Sequence, residues 1–325
     1  MQQTLLRRLA PLFALFVTTL PCACATTGLV SAASDAQSAH GLIDNSPRIA
    51  IATAYDPEFS VLLPSLQQSK EHKVHGVSYW TGELGEQPVI LFKTGVSIVN
   101  ATMNTQRLLG EFNITQIVVS GVAGGLDPDL SIGDVTAPAC WAKYDEATYL
   151  RETEPGVFKA PFPGVSPLVS PYGFMGTRGV RIATTEDPNP APRLWFEADS
   201  SLLAIAEAAS SEADFQQCDQ DGICLPGEPD FHIGGAGVSG SVFMDNGAYR
   251  DYLHTTFDAQ VVEMETAAIA MVAHSNELPF IAFRSVSDLA GGGSANQNEI
   301  RAFEHLAAQN SAALVIAFLE RMPKP

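Results

Sequence analysis

Four short stretches carry side chains that could do chemistry. Tyr55-Asp56-Pro57-Glu58 follows a strand-like apolar run, Arg48 to Ala54. Ligands in open α/β sheets lie outside the carboxyl ends of strands, so an acid there is placed to act on one. Asp and Pro equally suit a solvated helix start. Gly121-Val122-Ala123-Gly124-Gly125 follows a second apolar run, Gln116 to Ser120. Its glycines allow either close approach of a ligand or a tight turn with none. The run is not GxGxxG and carries no phosphate-binding lysine. Glu263-Met264-Glu265 enters a stretch that is otherwise apolar, Ala267 to His274. Acids favour helix N-termini, but a carboxylate among apolar residues is costly unless something pairs with it. Last, Arg284-Ser285-Val286-Ser287-Asp288 ends an apolar strand-like run and leads into Gly291-Gly292-Gly293. This spacing delivers Arg284, Ser287 and Asp288 to a strand end, which favours a site over a surface turn.

Apolar runs and helical periods alternate along the chain, as a layered α/β domain requires. Strands are expected at 48–54, 74–80, 88–93, 116–120, 132–138, 179–183, 231–237 and 280–286. Helices are expected at 58–67, 99–109, 200–213, 246–254, 264–274 and 300–321. Residues 145–195 are rich in Pro, Gly and aromatics and read as long loops. There is no internal repeat or interior linker, so residues 47–325 form one expected domain.

The chain has 325 residues, 46% hydrophobic and 17% charged, with 18 Lys+Arg against 36 Asp+Glu. A net charge of −18 argues against nucleic-acid binding, which needs clustered cations. It argues equally against docking on anionic membranes. Residues 1–25 read as a secretory signal peptide: Arg7 and Arg8, an apolar run from Leu9 to Leu20, then Ala23-Cys24-Ala25. The apolar run is shorter than the ~20 residues that span a bilayer. Residues 26–46 read as a flexible leader. Export, to a periplasm or beyond the cell, permits disulfides. Cys218 and Cys224 bracket a turn-rich DQDGI and read as a local disulfide, while Cys140 reads as a buried thiol. No metal-ligand spacing is present.

In order along the chain, IAIATAYDPEF, KTGVSIVNA, VVSGVAGGLDPDLSIGDV, GSVFMDN, VVEMETAAIA and FRSVSDLAGG resemble the motifs of the nucleoside phosphorylase/nucleosidase superfamily. The resemblance is greatest to methylthioadenosine/S-adenosylhomocysteine nucleosidases and to their secreted, bark storage-type relatives. It runs from Pro47 to the C-terminus. It implies a three-layer αβα sandwich with a central mixed sheet, and cleavage of the N-glycosidic bond of purine nucleosides. It implies no cofactor and no metal, and a homodimer.

By the same resemblance, Asp288 matches the residue that protonates the departing purine and Glu58 the one that activates water. Met264 and Glu265 match a ribose-binding pair. Phe243 matches the aromatic stacked on the base, with Met244 beside it. Arg284 matches an arginine near the water and the acidic cluster and is expected to bind substrate, as is Ser287 of the SD motif, and Gly124 lies in a turn that passes the ligand. Val122 departs from the family, which often has serine there, and Tyr55 replaces a smaller residue near the 5′ end of the substrate.

A phosphorylase must hold a phosphate dianion, for which arginines are the usual forks. The loops after the first strand and around Thr94 to Asn100 carry none, and Asp56 and Glu58 would repel it. Hydrolysis is therefore the expected reaction. The alternatives are phosphorolysis, or a non-catalytic nucleoside-binding or storage protein.

Overall fold

The computed structural model describes residues 41–163, 172–220, 222–293 and 297–323. The expected signal peptide lies outside them. Twelve strands build one mixed sheet. They are β1 (Asp44–Thr53), β2 (Gln67–Val74), β3 (Val77–Leu84), β4 (Gln87–Lys93), β5 (Phe112–Gly125), β6 (Val135–Ala137) and β7 (Cys140–Lys143), then β12 (Phe196–Glu197), β13 (Phe231–Ile233), β14 (Ala236–Ser239), β15 (Ala259–Glu263) and β16 (Phe280–Asp288). Two small ribbons stand apart from it: β8 (Ala147–Tyr149) with β11 (Met175–Thr177), and β9 (Arg151–Glu154) with β10 (Val157–Lys159).

The centre of the sheet is parallel. β5 lies between β1 and β16 and runs parallel to both. Both neighbours are buried on two faces, which is why their sequences read as continuous apolar runs rather than alternating ones. Successive residues still point to opposite sides. On β16, Phe280, Ala282 and Val286 enter one core and Ile281 and Phe283 the other.

Helices cover both faces. α2 (Ile98–Glu111) and α5 (Thr266–Ser275) close the first core with Ala101, Leu108 and Ile269. α1 (Asp56–Leu62), α3 (Ser200–Ala209) and α6 (Ile300–Arg321) close the second with Leu62, Leu202, Leu314 and Phe318. α4 (Gly247–Phe257) packs Leu253 and Phe257 with Val262 of β15 in a third cluster. The fold is the expected α/β sandwich with a mixed central sheet.

Several local expectations are corrected. Gly121 to Gly125 is not a turn: β5 continues through it to Gly125, paired to β16 and to β15. The helix expected from Glu58 to Gln67 ends at Leu62 with a 3₁₀ turn over Leu63–Ser65, and β2 follows at once. β2 sits at the sheet's edge, and its polar sequence QQSKEHKV hides its period. Residues 145–195 hold the two ribbons, while the strand expected at 179–183 is reduced to one bridge, Val180 to Arg193. The strand expected at 231–237 splits into β13 and β14 because Gly234 and Gly235 both take positive φ, at 90° and 67°. β1 starts at Asp44, so the last residues of the expected leader belong to the first strand. Cys218 and Cys224 form a disulfide. Cys140 is half-buried rather than buried, and burial lifts its thiol to about 11.

Candidate active site

Strand ends converge on one cavity of about 200 Å³. The residues after β1 supply Ala54, Tyr55 and Glu58, and the end of β5 supplies Val122, Ala123 and Gly124. The segment after β14 supplies Val242, Phe243 and Met244, and the end of β15 supplies Glu263, Met264 and Glu265. β16 delivers Ser287 and Asp288, and the first turns of α6 add Ile300 and Glu304. Of the nine residues expected at the site, eight line this cavity. The ninth, Arg284, does not.

Arg284 stands in the acidic cluster as expected, but it does not line the cavity as the expected substrate contact. It is 1% exposed and lies beneath the cavity floor. Its guanidinium reaches Glu58 at 3.3 Å, Glu263 at 2.6 Å and Glu265 at 3.8 Å. It also donates to Thr266 Oγ1 from Nε at 3.0 Å and from Nη2 at 2.8 Å. Burial opposes its charge, but the three carboxylates more than offset that and keep it protonated. The fork geometry of arginine suits such a hub, since one planar cation can join several acceptors. Its role is to fix the carboxylates in place.

Asp56 is a second correction. Its side chain is exposed and pairs with Lys93, away from the cavity, while Glu58 turns inward two positions further on.

Glu58 is 2% exposed. One carboxylate oxygen accepts from the Val122 N–H at 2.9 Å and the other from the Ala54 N–H. Burial pushes its pKa up, against the pull of Arg284 and the two backbone donors. Because the Val122 contact is made by the main chain, the valine side chain leaves it intact. Gly121 must be glycine here: a methyl at its Cα would overlap both the Arg284 guanidinium and the Glu58 carboxylate.

Glu263 explains the helix start that follows it. Its carboxylate accepts from the backbone N–H of Glu265 at 2.9 Å and of Thr266 at 2.9 Å, and from the Thr266 hydroxyl at 2.9 Å. It also accepts from the Ser239 hydroxyl, which in turn takes the Ala267 N–H at 2.8 Å. These contacts satisfy donors left open at the N-terminus of α5. They also leave Glu265 at the N-cap, free to face the cavity. Glu265 accepts from the Ser97 N–H at 2.7 Å. Ser97 holds a φ of 82° to do so, a backbone conformation that non-glycine residues rarely adopt. Burial and the nearby Glu263 charge push Glu265 up to about 8, against Arg284 and the Ser97 N–H.

Asp288 is 3% exposed. Oδ1 accepts from the Ala290 N–H at 2.9 Å and from Asn298 Nδ2 at 3.1 Å, while Oδ2 accepts from the Ser287 hydroxyl at 2.9 Å. Burial raises its pKa, and these three hydrogen bonds offset only part of the rise. Phe243 is 53% exposed at the cavity mouth, with Met244 buried beside it. Gly124 passes close to Asp288: an added Cβ there would sit 3.3 Å from Oδ1.

The described lining residues include five carboxylates, Glu58, Glu263, Glu265, Asp288 and Glu304, and no Lys, Arg or His. Asn298 and Glu304 were not singled out from sequence; Glu263 was, but without an assigned role in the site. Glu263 carried a signal, as an acid before an apolar helix. Asn298 and Glu304 carried none that separates them from a solvated loop and helix face.

The family model of the phosphorylase superfamily matches residues 48–320, nearly the whole folded region. The chain belongs to the phosphorylase superfamily. Within it, the chain is 28% identical over 256 residues to bark storage protein B of Populus deltoides, covering 78% of this chain and 80% of that protein. It is 27% identical over 276 residues to the 5′-methylthioadenosine/S-adenosylhomocysteine nucleosidase of Tolumonas auensis, covering 85% of this chain and 100% of that protein. It is similar in structure to S-adenosylhomocysteine nucleosidase of Streptococcus pyogenes, solved with 5-methylthiotubericidin. The TM-score is 0.62 and the identity 26%, with 88% of this chain and 99% of that one covered.

The ion network beneath the cavity makes a stability prediction. Arg284→Met removes the one cation shared by three buried carboxylates, and breaking such a pairing costs roughly 3–5 kcal/mol. Thermal unfolding is expected about 10 °C lower at neutral pH. An unchanged Tm would mean the carboxylates do not depend on Arg284.

Proposed function

We propose that the protein hydrolyses the N-glycosidic bond of purine nucleosides, releasing the free base. The observation that carries this reading is the group of carboxylates Glu58, Glu263 and Glu265 in the cavity lining, where the described residues place no cation. In glycoside cleavage the sugar becomes an oxocarbenium-like cation, which such a lining stabilises as it forms. The same lining repels a phosphate dianion and so favours water as the nucleophile. Asp56, once expected to share in that repulsion, takes no part. The similarity to 5′-methylthioadenosine/S-adenosylhomocysteine nucleosidases supports the purine nucleoside as substrate.

In this reading the purine sits under Phe243 and Met244 with its imidazole edge on Asp288. Ser287 and Asn298 orient the Asp288 carboxyl. The ribose diol faces Glu265, with Met264 and Gly124 against the sugar. Glu58 takes a proton from water as its oxygen bonds to the anomeric carbon. The C–N bond breaks with its electron pair going to the base, and Asp288 gives that base a proton at N7. Acid and base must hold different protonation states, and their surroundings supply the difference. Burial raises both, but only Glu58 has a guanidinium beside it to favour the charged form.

The reading extends to an exported protein and a homodimer. The formed Cys218–Cys224 disulfide supports an oxidising compartment. Exposed Val96, Val99 and Met103, beside the cavity, support a second copy packed there.

The test is product identity. With a purine nucleoside and millimolar phosphate, the sugar is expected to appear with a free anomeric hydroxyl while phosphate is not consumed. One phosphate consumed per base released would overturn hydrolysis. A second reading, a nucleoside-binding storage protein, is favoured by the bark storage protein similarity. It predicts bound nucleoside and no product.

A further inference from the structure

One polar pair in the cavity wall is not used by the chemistry above. The Tyr55 hydroxyl donates to Glu304 Oε2 at 3.0 Å, joining the N-cap of α1 to the first turns of α6 across 249 positions of sequence. Burial, then the Glu58 and Glu304 charges, push the Tyr55 pKa upward, so its hydroxyl keeps its proton and stays a donor. Among the described residues Tyr55 is the one hydrogen-bond partner of Glu304, which leaves the second carboxylate oxygen open. Both residues line the cavity.

The position of the pair follows from the three other corners of the site. Asp288 and Phe243 define the base corner, Glu265 and the Ser97 N–H the diol corner, and Glu58 the reacting carbon. α6 leaves the base corner, where Asn298 just ahead of it bonds Asp288, and carries Glu304 to Tyr55 beside Glu58. In the pose proposed above, the substituent on the fourth ribose carbon faces this remaining wall. Ile300, one turn earlier on α6, and Val122 line it too, and neither offers a hydrogen bond. The Tyr55–Glu304 pair is therefore the polar group that a 5′ substituent meets. A 5′-hydroxyl can donate to the open Glu304 oxygen, which the Tyr55 hydroxyl holds in place through the other one. A thioether sulfur cannot donate, and it would strip water from a carboxylate without replacing the hydrogen bond.

We infer that Tyr55 and Glu304 make this site selective for purine nucleosides with an unsubstituted 5′-hydroxyl over those with a 5′-alkylthio group. The inference rests on the nucleosidase reading. Its geometric basis, a tyrosine–carboxylate pair in the wall, is independent of the acid and base roles.

The test compares kcat/KM for adenosine and 5′-methylthioadenosine. Adenosine is expected to be favoured by about tenfold or more, the discrimination one well-placed hydrogen bond provides. In Glu304→Leu that ratio is expected to fall by about tenfold, through loss on adenosine alone. Glu304→Gln, which keeps an acceptor, is expected to restore part of it, and Tyr55→Phe to lower it while preserving the packing of α1. Preference for methylthioadenosine in the unaltered protein, or equal losses on both substrates in Glu304→Leu, would overturn the inference and leave the nucleosidase reading intact. Absence of turnover on either would sink the nucleosidase reading instead. Calorimetric affinities for adenosine and 5′-deoxyadenosine then decide selectivity. Tighter adenosine binding, lost in Glu304→Leu, supports it, and equal affinities or no binding overturn it.

Discussion

Asp288→Asn is expected to lower turnover several hundredfold or more while nucleoside affinity changes little. The substitution is nearly isosteric. The asparagine amide still accepts from the Ala290 N–H or Ser287 and still presents a donor to the purine edge, so the base keeps its place. What it loses is a proton it can transfer. Without that transfer the base must leave as an anion, and general acid catalysis is typically worth about 10²–10⁴-fold. Asp288 is suited to hold the proton because burial raises its pKa and, among the described residues, no cation pairs with it. The measurement is a single-turnover rate with analogue affinity on the same preparation. Near-full activity would remove Asp288 from the chemistry. Loss of affinity in step with rate would make it a binding residue only.

Glu58→Gln is expected to abolish hydrolysis and preserve binding of base and analogues. Glutamine keeps an acceptor for the Val122 N–H, gives up the one for the Ala54 N–H and cannot take a proton from water. The fold is expected to tolerate it, since Arg284 retains Glu263 at 2.6 Å. The two residues together set the pH dependence. Glu58 must be ionised, so the rate falls as pH drops through its raised pKa. Asp288 must be protonated, so the rate falls as pH rises through its own raised pKa. The profile is a bell, and the residual turnover of Asp288→Asn should lack the alkaline limb that Asp288 controls. Loss of analogue binding in Glu58→Gln would mean that the carboxylate grips the sugar instead of activating water.

How far the sequence discloses this site depends on which physical signal each residue leaves. β5 and β16 are legible because two-sided burial demands unbroken apolar runs, and the acids and glycines at their ends stand out against them. α6 is legible from Ile300 to Arg321 because its broad apolar face persists over 22 residues. β2 is not, because an edge strand has no buried face to enforce a period. The glycine run reads as a turn because glycine is ambiguous between turning and making room. Here it makes room for Arg284 and Glu58. Arg284 is visible as a cation at a strand end, but its partners come from positions 58, 263 and 265. Only the fold reveals that one guanidinium joins them. Glu304 is the least legible of all: on a helix, a carboxylate that lines a cavity is written in the same letters as one that faces water.

In the proposed reaction water, not phosphate, cleaves the bond in this cavity. The most direct test is chromatography of free base over time, with the purified protein and adenosine or inosine in phosphate-free buffer. Steady release of adenine or hypoxanthine, unchanged on adding phosphate, is the predicted result. Release only after phosphate is added, or none from either nucleoside, would contradict it.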